Sequence, residues 1–311
     1  MLFHRKVKTF IHREIVLNRA KILLMALDFA KNIKNILKKH QFLPSKGLGQ
    51  NFLTDENAIK RVIIAADLES GNVVLEVGPG LGALTKELAK KAARVIAVEK
   101  DPKMVEILRE TLKDYKNVEI VLGDILKIEN LKLIENWKLK IENYKVAANL
   151  PFYLTAPLIR KFLEEKTPPK DMTLVVQKEV GQRIVARPPE MSILAVSVQF
   201  YAQAKIVSYI SKESFWPKPK VDAAILKIIP FALSKNPATA GFFDKDLFFK
   251  IVKAGFSQPR KQLINNLSQK LEIDKEKIKS WLSENGIQHT QRAETLEVKD
   301  WINLTKTFKI N

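Results

Sequence analysis

The chain has 311 residues, 46% hydrophobic and 28% charged, enough for about two globular domains with a sizeable core. It has no cysteine, and its four histidines (His4, His12, His40, His289) lie near the ends. That excludes disulfides, thiolate catalysis and sulfur-bound zinc, and argues against a histidine base or metal centre; no apolar run approaches the roughly 18 residues of a membrane span.

The formal charge of +19 is unevenly spread, with a net +9 in residues 1–50, zero in 51–150 and +10 in 151–311. A neutral block between basic ones suits a small-molecule site with a polyanion gripped from both sides. Residues 1–24 contain one acid, Glu14, and read as a dispensable basic extension. A helical pattern begins at Met25, and the extension is expected to span 1–40. Pro44 to Leu53 is a glycine-punctuated loop placed to fold back over a ligand. Thr54 or Asp55 can then cap a helix with Ile59, Val62 and Ile63 on one face.

Asn72 to Gly82 followed by Ala83 to Leu88 reads as strand, glycine turn and helix. The glycines of Gly78-Pro79-Gly80-Leu81-Gly82 let backbone approach a ligand closely. A second strand, Val95 to Val98, ends in Glu99, 21 residues after Gly78, where an acid can accept from ribose hydroxyls. The third, Val118 to Leu122, leads to Gly123-Asp124, whose carboxylate can accept from an adenine amine. The fourth ends at Asn149-Leu150-Pro151-Phe152. Here the Asn149 amide and the Leu150 carbonyl can each accept from an exocyclic amine, Pro151 fixes the backbone, and Phe152 offers a face to a flipped base. Singly, each acid is as well explained as a helix cap or a solvated charge; the four strand ends acquire meaning as a set.

Further along, Thr155 is placed to cap a helix carrying Leu158, Ile159, Phe162 and Leu163. A fifth strand covers Met172 to Gln177, a helix Ile193 to Phe200, and two last strands 206–210 and 221–229. Between these strands, Phe215 with Lys218 and Lys220 suggests a stacking wall with phosphate contacts; an ordinary loop would explain the spacing as well. Residues 230–241 read as a linker, and four helices are expected after it. Pro259 suits a helix start. Arg260 and Lys261 would then sit in the first turn, where the helix dipole disfavours cations, so an external phosphate is the better explanation for them.

Taken together, GLGQNFL (47–53), VLEVGPGLGALT (74–85), VIAVEKD (95–101), GDIL (123–126), NLPF (149–152), QKEV (177–180), SFWPKPKVD (214–222) and FSQPRKQLINNL (256–267) resemble the ribosomal RNA adenine dimethyltransferases, particularly the small-subunit enzymes. The resemblance implies an α/β class I methyltransferase fold: a Rossmann-like, mostly parallel seven-stranded sheet at 41–230 and a small helical RNA-binding domain at 231–311. It also implies S-adenosyl-L-methionine as donor, without a metal. Two methyl groups would go to the N6 amine of each of two adjacent adenosines, in a hairpin near the 3′ end of small-subunit rRNA. By position, Asn51, Leu53, Gly78, Glu99, Asp124 and Asn149 would contact the cofactor. The expected partner is the small ribosomal subunit or its assembly intermediate, met by a cytoplasmic monomer. Phe152 departs from the tyrosine usual in small-subunit enzymes and matches the large-subunit methyltransferases of macrolide resistance, while 187–192 lacks the Tyr-Gly this family often has. The alternatives are that large-subunit enzyme, a non-catalytic RNA-binding or transcription factor, and a nicotinamide oxidoreductase. The last has no use for Asn-Leu-Pro-Phe or basic C-terminal helices.

Overall fold

A computed structural model describes residues 35–42, 49–128, 144–232 and 243–308. Residues 1–34 of the extension expected at 1–40, residues 44–48 of the glycine-punctuated loop and most of the 230–241 linker lie outside the described residues. Residues 35–40 are not a free extension, since Leu37 is buried in one core cluster with Ile107 and Leu108. The apolar runs form strands β2 (Val73–Val77), β3 (Arg94–Glu99), β4 (Val118–Leu122), β5 (Tyr144–Asn149), β6 (Met172–Gln177), β7 (Ala202–Ile210) and β9 (Ala223–Pro230). They make one seven-stranded sheet in the order β4-β3-β2-β5-β6-β9-β7. The first five of these are parallel to one another, while β9 runs antiparallel to both β6 and β7. Every residue of β2 is buried, because helices cover both faces of a parallel sheet; hence the unbroken apolar run in its sequence. A separate two-stranded ribbon pairs β1 (Phe52–Leu53) with β8 (Phe215–Trp216).

Helix α1 (Glu56–Ala66) starts at Asp55, whose carboxylate accepts from the backbone amides of Asn57 and Ala58 at 2.9 and 3.2 Å. Ile59 and Val62 are buried and Ile63 half-buried, the face expected from their spacing. Helices α2 (Ala83–Ala89), α3 (Pro102–Thr111), α4 (Thr155–Glu164), α5 (Lys178–Val185) and α6 (Ile193–Gln199) follow. Two of these differ from expectation. Thr155 does not cap α4: a 3-10 turn at Phe152–Leu154 runs straight into the helix, and the buried Thr155 hydroxyl has no hydrogen-bond partner among the described residues. Helix α5 begins directly after β6, with no turn residue to announce it.

After the linker come α7 (Lys245–Gly255), α8 (Leu263–Leu271), α9 (Lys275–Glu284) and α10 (Val298–Thr307). Gly286 stops α9 with φ of +72°, a conformation glycine adopts freely. Pro259 does not open α8. Residues 258–261 form a turn closed by Lys261 N–H donating to the Gln258 carbonyl at 3.0 Å, and the helix begins four residues after the proline. The ring of Phe200, after α6, stacks on Phe248 of α7 with centroids 4.2 Å apart. Through this contact the sheet's core continues into the helices as far as Trp301.

Candidate active site

The chain order reverses between β2 and β5: β3 and β4 lie on one side of this pair, β6 on the other. Loops leaving the strand ends there diverge and open a crevice, the usual ligand site of open α/β sheets. The turn after β2 carries Gly78, Gly80 and Gly82 at φ of +67°, +57° and +81°, all in the left-handed region that side chains avoid. At Gly80 there is a second constraint, since an added Cβ would lie 2.9 Å from the Phe52 ring. The turn therefore needs glycine both for its path and for the segment packed over it.

That segment is the loop at 49–53, held across the crevice by the β1–β8 ribbon. Leu53 pairs with Phe215, and both the amide and the hydroxyl of Thr54 donate to the Ser214 carbonyl, at 2.8 and 3.0 Å. The expected fold-back of this loop is thus achieved by a partner some 160 residues away in sequence. The Asn149 side chain donates its amide N–H to the Asn51 carbonyl at 2.9 Å. This fixes which end of the amide is which and keeps Oδ1 as its acceptor. The Leu150 amide donates to Val175 at 3.1 Å, and Leu154 closes the following turn on the Pro151 carbonyl at 2.9 Å.

The crevice carries three acids, Glu76, Glu99 and Asp124, and one cation, Lys100. Glu99 is buried, its Oε1 accepting from the backbone amides of Lys100 (2.8 Å) and Asp101 (2.9 Å). Burial raises its pKa, and the backbone hydrogen bonds oppose the rise. Asp124 accepts from the Leu126 amide at 3.1 Å and pairs with the Lys100 ammonium at 3.0 Å; mainly through Lys100, its pKa is lowered.

The most perturbed carboxylate is Glu76, the next-to-last residue of β2, for which the sequence pattern suggests no role. Burial pushes its pKa to about 8, with Thr85 opposing and the charge of Glu99 adding to the rise. Its Oε2 has no hydrogen-bond partner among the described residues. A buried polar atom left unpaired is costly, so a ligand that supplies a donor or a positive charge is what the site lacks.

One cavity is lined by Asn51, Leu53, Gly78, Glu99, Asp124 and Asn149, by Leu150, Pro151 and Phe152, and also by Glu76, Lys100 and Tyr153. The nine expected residues are therefore brought together. Phe215 is placed otherwise than expected: it is 4% exposed and lines the inside of this cavity, so it offers no open stacking wall. Lys218, Lys220, Arg260 and Lys261 are exposed and outside the cavity. Lys218 is paired with Glu213. Among the described residues no group of His, Cys, Asp and Glu could hold a metal ion, and no helix is long and apolar enough to cross a membrane.

A sheet of this order with a glycine turn and acids at its strand ends is that of the class I S-adenosylmethionine-dependent methyltransferases, and solved structures share the fold. The crystal structure of a dimethyladenosine transferase from Plasmodium falciparum aligns with a TM-score of 0.65 at 25% identity, covering 81% of this chain and 95% of that one. That of the 23S rRNA methyltransferase ErmE aligns at 0.63 and 25%, covering 82% and 98%. The chain belongs to the ribosomal RNA adenine dimethylase family, whose profile matches residues 42–309. The ribosomal RNA small subunit methyltransferase A of Dehalococcoides mccartyi (strain CBDB1) is 41% identical over 278 residues, 89% of this chain and 93% of the relative. That of Bacillus cereus (strain B4264) is 37% identical over 283 residues, 89% and 96%.

Proposed function

We propose that this protein dimethylates the N6 amines of two adjacent adenosines in the 3′-terminal hairpin of small-subunit rRNA, with S-adenosyl-L-methionine as donor. The observation that carries the reading is Asn149, an amide oriented by Asn51 at the strand end beside the glycine turn, with Phe152 next to it. The cavity suits this donor. Glu76 has a buried oxygen in need of a partner, Glu99 and Asp124 offer acceptors to hydroxyls and to an amine, and the net acidity favours a cation. When bound, the donor supplies an activated methyl group on a sulfonium.

The protein's part is to make a weak nucleophile ready. An adenine amine spreads its lone pair into the ring. Acceptance of its hydrogens by Asn149 Oδ1 and the Leu150 carbonyl favours the pyramidal amine, an interaction stronger in the transition state than in the ground state. Phe152 holds the base by its face, and the fixed 3-10 turn supplies orientation. The proton released from the amine goes to water. The neutral middle and basic flanks of the sequence, with Lys218, Lys220, Arg260 and Lys261 exposed on the surface, make the helical segment at 231–311 and the loop before β9 the grip on RNA. The partner on this reading is the small ribosomal subunit or an assembly intermediate of it, met by a monomer in the cytoplasm.

Incubating the protein and labelled donor with undermethylated small-subunit particles and, in parallel, with large-subunit RNA, then mapping both by primer extension, tests the proposal. Two adjacent stops near the 3′ end are expected. Stops in large-subunit RNA would instead assign Phe152 to the macrolide-resistance type, and absence of transfer to either RNA would overturn the proposal.

A further inference from the structure

Tyr153 follows Phe152, lines the same cavity, and is 55% exposed. It belongs to the 3-10 turn Phe152–Leu154. A turn of this kind has three residues per revolution, so consecutive side chains diverge by about 120°. Phe152 and Tyr153 therefore cannot stack on one base. Phe152 is half-buried, whereas Tyr153 stands at the rim. The backbone of the turn is closed on Pro151, and the Cδ1 edge of the ring faces the loop at Gly49. Two further residues line the same cavity: Leu126, 39% exposed, and Lys100, whose ammonium is paired with Asp124. A large aromatic ring exposed at the cavity that Phe152 also lines, with a cation in the same lining, suits a second nucleobase and its phosphate.

We propose that Tyr153 stacks on the nucleotide adjacent to the adenosine held by Phe152, so that two neighbouring bases are parted between two diverging rings. This rests on the RNA-methylating reading above. It gives Tyr153 a part in substrate choice: the pair of rings recognises an unpaired neighbour next to the target, independently of its sequence.

The test compares the natural small-subunit particle with particles reconstituted to carry an abasic nucleotide at either neighbour of one target adenosine, methyl transfer being scored at that adenosine alone. Tyr153→Ala should raise KM for the natural particle by about 5- to 150-fold, the range of one base–aromatic stack. Tyr153→Phe should stay within about twofold, and cofactor Kd and Tm should be unchanged in both variants. On one of the two abasic particles the wild type should lose a similar factor, and Tyr153→Ala should lose nothing further. Equal additional losses in variant and wild type on both abasic particles would overturn the proposal. So would an unaltered KM, or a weakened cofactor Kd, which would move the ring onto the donor. Methylation of the natural particle by the wild type is scored separately. If it fails, the function proposed above falls; if it succeeds and the variant behaves as wild type, only the role of Tyr153 falls.

Discussion

Buried charge occurs at both ends of the parallel strands, and the two ends treat it in opposite ways. At the amino-terminal end, Lys145, Lys227 and Asp171 are 3%, 7% and 6% exposed. Asp171 pairs with Lys145 at 3.2 Å and with Lys227 at 2.6 Å. The two ammoniums also donate to the last carbonyls of α1: Lys145 to Ala66 and Asp67, Lys227 to Ala65 and Ala66. Cations at a helix carboxyl terminus meet its negative dipole end, and Thr173 takes one more bond from Lys227, at 3.2 Å. At the carboxyl end, Glu76 and Glu99 are 1% and 8% exposed. Both are raised in pKa by burial, and Glu76 has an oxygen unpaired among the described residues. A satisfied cluster of charge serves the fold. An unsatisfied one is tolerated where a ligand completes it.

The sharpest way to break this comparison is Asp171→Ala, which leaves two buried cations facing each other. Loss of one partner from a buried ion pair costs about 3–5 kcal/mol. Thermal and urea unfolding should show a loss of that size, while protein folded at low temperature binds S-adenosylmethionine as before. A changed cofactor Kd with intact stability would show that the two ends are not separate in purpose.

Glu76→Gln should act in the opposite sense. In the unfolded chain this carboxyl ionises near 4.5; in the folded protein without cofactor it holds its proton up to about pH 8. A raised pKa gives stability that is complete below the unfolded value and lost as pH rises to the folded one. At about 1.4 kcal/mol per pH unit, the wild type should lose on the order of 2 kcal/mol relative to Glu76→Gln between pH 5.5 and 7.5. Urea unfolding without cofactor measures this. The same variant should bind the donor more weakly at pH 8. Parallel pH profiles for the two proteins would remove Glu76 from the argument.

Asp124 lies between these cases, since its carboxylate already has Lys100. Asp124→Ala should weaken cofactor binding by about 1–3 kcal/mol, the scale of a charged hydrogen bond, with little change in Tm. Calorimetry of S-adenosylmethionine binding decides it. An unchanged Kd would mean that Asp124 serves only Lys100 and the Leu126 amide.

How legible these features were follows from where each residue's partner lies. Gly78, Glu99, Asp124 and Asn149 stand immediately after apolar runs, so strand pattern alone put them at one edge of the sheet. Glu76 is hidden inside such a run. Its spacing matches its neighbours, and only the burial of β2 on both faces makes a charge there unusual. Lys145 and Lys227 look like ordinary strand lysines until Asp171 is seen between them. Phe215 among prolines and lysines reads as surface; its pairing with Leu53 joins segments far apart in the chain. Thr155 and Pro259 carry correct local preferences, but a 3-10 turn and a four-residue turn moved the helix starts away from them.

Arg260 and Lys261 represent a third treatment of charge, and the smallest expected effect on the fold. Both are exposed, and neither forms an ion pair among the described residues. They sit in the turn before α8, which is tied down by the buried Asn266, whose amide donates to the carbonyls of Gly255 and Gln258 at 2.7 and 3.0 Å. On the function proposed above, this turn presents the two cations to RNA phosphates. Reversing both to Glu should shift stability by no more than about 0.5 kcal/mol, as for most exposed sites, and leave cofactor Kd unchanged. RNA binding should weaken, and the slope of log K against log salt should become shallower by about 1–2 units, one for each phosphate no longer neutralised. The slope separates direct phosphate neutralisation from a general change in the protein's field, since weaker long-range attraction lowers affinity without removing specific counterion release. Weaker binding with an unaltered slope would mean that these two cations steer RNA from a distance and touch no phosphate.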